Sequence, residues 1–242
     1  MILEPTEYIN GLLSLIAVIT SLLFGLLICS RYFKTKNKEF LFIGISTFGI
    51  YQPWWPNAVG FLLYLFTGRL LDPVVSLFIA NFFIPIFITL WMLAMNEMLF
   101  EGKRIIIPII YFIVTILMDI YLVFFLIVDP NVIGIITGPF DTEYGRVMSI
   151  YLLFILTSIV VTSIIFSVKS MRLDDPEIKL KGEFLIVGFS LYLCSGVMDV
   201  GIIHLTTITL IIARSMLILS SIFIYIGFLL PNYVKKILLK EH

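Results

Sequence analysis

The sequence predicts an all-α membrane protein, a seven-transmembrane helix bundle with its N-terminus outside and its C-terminus in the cytosol. Three observations predict it. The chain of 242 residues is 60% hydrophobic with a mean hydropathy of +1.11, more apolar surface than a soluble domain of this length can bury. Its charged residues, 13% of the total, cluster between apolar runs. Every lysine falls in connections that an alternating chain places on one side of a bilayer.

A helix needs about 20 apolar residues to cross the hydrocarbon. Such runs occupy residues 8–30, 40–66, 73–99, 105–128, 147–168, 184–204 and 206–230, one domain over residues 1–242. The stretch before the first run, Met1 to Glu7, is acidic and lacks the cationic start of a cleaved signal peptide, so it is expected as an external tail. The first connection carries Arg31, Lys34, Lys36 and Lys38. The third carries Lys103 and Arg104, the fifth Lys169, Arg172, Lys179 and Lys181, and the tail Lys235, Lys236 and Lys240. The opposite side holds only Arg69 and Arg146, and Arg214 lies within the last run. Basic residues stay on the cytosolic side, which orients the bundle and puts it in a cell membrane.

Prolines punctuate the runs. Pro53 and Pro56, in Gln52-Pro-Trp-Trp-Pro-Asn57, interrupt the second run and Pro85 the third. Each removes a helical hydrogen bond, which either shapes a cavity or only kinks the packing. Pro73 and Pro108 fall in first turns, where proline is harmless, and Pro231 ends the last run. The long connection from Asp129 to Arg146 is apolar in its middle and acidic at its ends. It either folds back as a lid over the outer mouth or is a surface loop without a ligand role. The openings of runs two and six, Glu39-Phe-Leu-Phe-Ile-Gly-Ile-Ser46 and Glu183-Phe-Leu-Ile-Val-Gly-Phe-Ser190, share five of eight positions. They admit a parallel 3+1+3 duplication, although apolar sequence built from few residue types also matches itself.

Ionisable groups inside a span are costly and mark functional sites by default. Asp119, Asp199 and Arg214 are such groups. At the helical rise they lie roughly 13, 8 and 12 Å below the outer ends of their spans. Spans six and seven are joined near His204, so Asp199 and Arg214 are expected to pair, through a bidentate fork. Asp119 is then the unpaired acid, either protonated, sharing Arg214, or meeting a cationic or polar ligand. Asn81 lies at similar depth, and Trp55 and Tyr51, with Trp54, can line the same cavity. The bland alternatives are a buried ion pair that fixes helix register and aromatics that only fill a core. Asn96 and Glu97 near Lys103 and Arg104 read as either a switch or a solvated helix end.

Much chemistry is excluded. No lysine lies inside a span, so no retinal Schiff base is available, and no cofactor is expected. Cys29 and Cys194 make no disulfide framework. His204 and His242 have no partners at metal-ligand spacing. No phosphate loop or nucleophile elbow occurs, so the chain is not read as an enzyme. The zero net charge speaks against nucleic acid.

Three stretches carry a resemblance: Gly138-Pro-Phe-Asp141, the run Asp175-Pro-Glu177 leading to Lys181-Gly-Glu-Phe-Leu185, and Tyr225-Ile-Gly-Phe-Leu-Leu-Pro-Asn-Tyr-Val-Lys-Lys236. With them the chain, over roughly residues 8–236, resembles the prokaryotic seven-transmembrane sensory modules, among them the membrane region of sensor histidine kinases and stand-alone archaeal relatives. The resemblance implies a receptor-like protein that meets a ligand, lipid or ion at its outer half. Only Ile237 to His242 follow the last span, where those kinases carry a signalling domain, so the output is expected to pass to a separate cytosolic partner. The alternatives are a small 3+1+3 transporter or channel subunit, and a structural subunit of the membrane.

Overall fold

The computed structural model describes residues 3–199 and 206–239, and the sequence's His204 and His242 lie outside them. It is an all-α membrane bundle with one small hairpin. Helix α1 (Pro5–Thr35) is followed by α2 (Glu39–Gly49), a 3-10 turn (Gln52–Trp54) and α3 (Trp55–Thr67). Then come α4 (Pro73–Asn81), α5 (Ile84–Phe100) and α6 (Ile106–Val128). A hairpin of β1 (Gly134–Gly138) and β2 (Asp141–Tyr144) precedes α7 (Arg146–Met171), α8 (Pro176–Val197), α9 (Thr207–Leu229) and the short α10 (Asn232–Leu238). Among the described residues, six helical segments are long and apolar enough to cross a bilayer. The run at 40–66 is missing from that set because it is broken into α2, the 3-10 turn and α3.

Local chemistry fixes the helix starts. Asp72 and Asp175 each cap a helix whose first residue is proline, accepting hydrogen bonds from the next backbone N–H groups, the side-chain oxygen satisfying donors the helix cannot. Thr206 caps α9 in the same way. The turn from α5 into α6 is tied down: the Asn96 side chain is buried and accepts the Arg104 N–H at 2.9 Å, while Glu101 and Gly102 take left-handed backbone. Asn96 is thus part of a built turn.

The breaks are equally well accounted for. Pro53 has no N–H to give, and Trp54 N–H bonds Tyr51 C=O instead, which frees the Ile50 carbonyl. The Tyr192 hydroxyl, reaching from α8, donates to that carbonyl at 2.8 Å. Near the Pro85 break between α4 and α5, the Gln52 amide donates to Ile79 C=O at 2.9 Å. Freed carbonyls at membrane depth need such partners. Tyr51, fully buried, pins the first break to α9 through Ser220 at 2.5 Å.

The helices close into a ring, α9 packing on both α8 and α1, while α6 sits at the periphery against α4 and α5. Small residues set the close approaches, as at membrane helix contacts generally. A Cβ on Gly44 would lie 2.6 Å from the Gly25 carbonyl of α1, and one on Gly227 would lie 2.5 Å from Leu185 Cγ. Gly188, the counterpart of Gly44 in the two matched octapeptides, packs forward on Ile224 of α9 rather than back on the preceding helix. The matched segments are therefore used differently.

Gly44→Ala should lower the melting temperature, because the obstruction is backbone and cannot turn away, and overpacking of this kind costs about 1–3 kcal/mol. Gly60→Ala, whose nearest neighbour would lie 3.5 Å from the new Cβ, should be neutral or slightly stabilising from helix propensity, by about 1 kcal/mol or less. Thermal unfolding of both variants in one detergent compares them directly.

Candidate functional site

At the hairpin end of the bundle a cavity of about 670 Å3 lies between the broken helix, α5, α7, α8, α9 and the hairpin. Its size suits a small ligand. Its apolar lining includes Phe87, Ile88, Ile155, Leu156 and Ile159. Its polar lining includes Asn57, Ser149, Tyr144, Asp199 and Arg214. Residues 137 and 140–144 of the hairpin line it too, so the connection between α6 and α7 folds over the bundle and contributes to the site.

Arg214 is the anchor. It lies on α9 with 4% of its surface exposed. One terminal nitrogen donates to Asp199 Oδ2 at 2.5 Å, and Nε donates to Asn10 Oδ1 on α1 at 3.0 Å. Asp199 lies in a π turn that continues α8, and its Oδ2 also accepts the Trp54 indole N–H at 2.6 Å. Asn10 in turn donates to the Phe140 carbonyl in the hairpin at 3.2 Å, and Ser14 donates to Asn10. Five elements therefore meet through one guanidinium. A buried ion pair is stabilised by further hydrogen bonds to its members, and here Asn10 of α1 and Trp54 of the 3-10 turn supply one each.

The sequence-derived candidates separate clearly. Asp199 and Arg214 are brought together, with one carboxylate oxygen taking the arginine rather than a two-point fork. Asp119 is elsewhere, half-buried on α6 with the Tyr151 side chain of α7 as its electrostatic neighbour. Asn81 is buried and donates to Leu77 C=O of its own helix. Its Oδ1 has no hydrogen-bond partner among the described residues, and it stands close to Tyr144. Tyr51 is behind the cavity wall, packed on Trp54 and Tyr192. Of the adjacent tryptophans, Trp54 faces the cavity, whereas Trp55 stacks on Phe48 and its indole N–H has no partner among the described residues.

Asn10, Phe140, Tyr144 and Tyr192 join the site without having been expected from the sequence. Asn10 is a neutral residue in the second turn of α1, and its role depends on a contact across 204 positions. Burial pushes the Tyr144 phenol up to about 12, opposed by the facing Asn81 side chain and aided by the Asp199 charge. It is a neutral donor at any physiological pH.

No protein-family model, curated protein or solved structure matches the chain.

Trp54→Phe should destabilise by about 1.5–3 kcal/mol, the worth of a hydrogen bond to a charged group, whereas Trp55→Phe should cost less than about 1 kcal/mol because no hydrogen bond is lost. Asp119→Asn should leave the melting temperature within a few degrees of wild type, since no cation is left unpaired by it. Parallel thermal unfolding of the three variants provides the comparison.

Proposed function

We propose that this chain is a receptor- or sensor-like membrane protein that binds a small ligand in the cavity beneath the hairpin and signals to a separate cytosolic protein. The observation that carries the reading is the cavity itself. A ligand-sized space opens onto the only buried ion pair among the described residues, and that pair connects the helices that would have to move. A purely structural pair would need no space beside it.

In this reading the bundle crosses the membrane seven times, the broken segment of α2, the 3-10 turn and α3 making the second crossing. The hairpin faces outward and the lysine-bearing turns face the cytosol, as positive-inside charge demands. The resemblance to prokaryotic seven-transmembrane sensory modules agrees with this arrangement. Ligand contact with Arg214 or Asp199 would shift α8 and α9 together, since they pack on each other along their length. The far end of α8 carries Lys179 and Lys181, and α10, which follows α9, carries Lys235 and Lys236, where a cytosolic partner can read the change. The transporter alternative drew on an internal repeat, which the unlike packing of Gly44 and Gly188 does not favour.

Native mass spectrometry of protein gently extracted from its own membrane tests the binding. Wild type should carry a small molecule that is missing from Ile155→Trp, in which the larger ring occupies the cavity. Bare protein in both preparations would contradict the reading. Topology has its own test: with Cys29 and Cys194 replaced by alanine, a membrane-impermeant maleimide should label Thr142→Cys in intact cells but Lys36→Cys only after permeabilisation. The reverse pattern would overturn the orientation.

A further inference from the structure

Resting on that ligand-binding reading, we propose that the cavity selects an organic amine, a protonated ammonium carried on an apolar body. The cavity wall holds one cation, Arg214, against three acids, Asp141, Glu143 and Asp199. Arg214 is committed to Asp199 and Asn10. Neither Asp141 nor Glu143 takes part in any ion pair among the described residues. The surplus is negative, and acids lining a cleft with low-dielectric walls concentrate cations there.

The deeper recognition falls on Asp199. Both of its hydrogen bonds arrive at Oδ2. Its Oδ1 accepts none among the described residues, and the side chain is 18% exposed. An ammonium is the complement of a bare carboxylate oxygen in a half-dry site. Aromatic rings stand beside it: Trp54 and Tyr192 meet edge to face with centroids 6.0 Å apart, and both line the cavity with Tyr144. Such faces attract cations. The apolar body would lie against Ile88, Ile155 and Leu156.

An anionic ligand is disfavoured by the same arithmetic. It could bond the remaining nitrogen of Arg214, but it would sit against Asp199 and pass Asp141 and Glu143. Like charges at such close range repel, and more strongly beside low-dielectric walls than in water. A neutral alcohol escapes the repulsion but gains nothing from the acids.

Three probes sharing one skeleton separate these classes: phenylbutylamine, phenylbutanol and phenylbutanoate, each titrated against the protein in nanodiscs with thermal unfolding as readout. The amine should raise the melting temperature saturably, and more than either isostere at equal concentration. Asp199→Asn should weaken its apparent affinity about tenfold, as loss of a hydrogen bond to a charged group implies. If that variant does not fold, Glu143→Gln, at an exposed position, should weaken it about threefold. Ile155→Trp should abolish the shift and thereby exclude an effect through the lipid. A shift by the alcohol or the carboxylate equal to the amine's would overturn the amine assignment while leaving the cavity a ligand site. An amine shift unaffected by Glu143→Gln and by Ile155→Trp would overturn it as well, as would no shift with any probe. In the last case the bound molecule sought by native mass spectrometry still decides the broader reading independently.

Discussion

A guanidinium with 4% of its surface exposed sets the terms for the hairpin end of this bundle. An arginine cannot shed its charge, and an isolated charge out of water costs many kcal/mol. Arg214 therefore requires the Asp199 carboxylate beside it and a further acceptor for Nε. Those acceptors lie on α8 and α1, so the requirement holds α9 between its two neighbours. It also extends outward, because Asn10, having accepted from Arg214, donates onward to the hairpin at Phe140. The position of the hairpin is in this sense a second-order consequence of one buried charge.

The broken helix follows from the same constraint. A continuous helix over residues 39–67 would keep its carbonyls paired internally. Pro53 prevents that, and the chain tightens into a 3-10 turn that delivers the Trp54 indole to Asp199 Oδ2. The freed Ile50 carbonyl is taken by Tyr192, which stands on the helix leading to Asp199. Break, ion pair and cavity are thus neighbours because they share partners. A break leaves volume where a helix would have filled it, and the ion pair lines that volume with charge.

The bilayer acts on every residue of a span, so apolar runs and lysine positions made the helical membrane bundle legible without a structure. The placing of Pro73 in a first turn is local chemistry and was readable too. The pairing of Asp199 with Arg214 followed from a short connection. What was hidden is azimuth. Asp119 can be assigned a depth from its sequence position, but not the side of the ring on which α6 stands, and α6 is peripheral. Trp54 and Trp55 were separated only by the 3-10 turn, which changes the angular step between residues and so decides which indole faces inward. The sequence left the connection from Asp129 to Arg146 open between a fold-back and a plain surface loop, and its strands were hidden, since a five-residue and a four-residue strand depend on what they cover. Asn10 gave no signal, being uncharged and in an unremarkable first helix.

On this physics Asp199 and Arg214 act as one unit on which the hairpin end depends. A double-mutant cycle with Asp199→Asn and Arg214→Gln, read by reversible unfolding in a single detergent, measures that coupling. Each single change should cost about 3–5 kcal/mol, because each leaves a buried charge unpaired. The double change should cost less than the sum of the two by well over 1 kcal/mol. Single costs that simply add would contradict the account, for they would mean that the two side chains share a site without depending on one another.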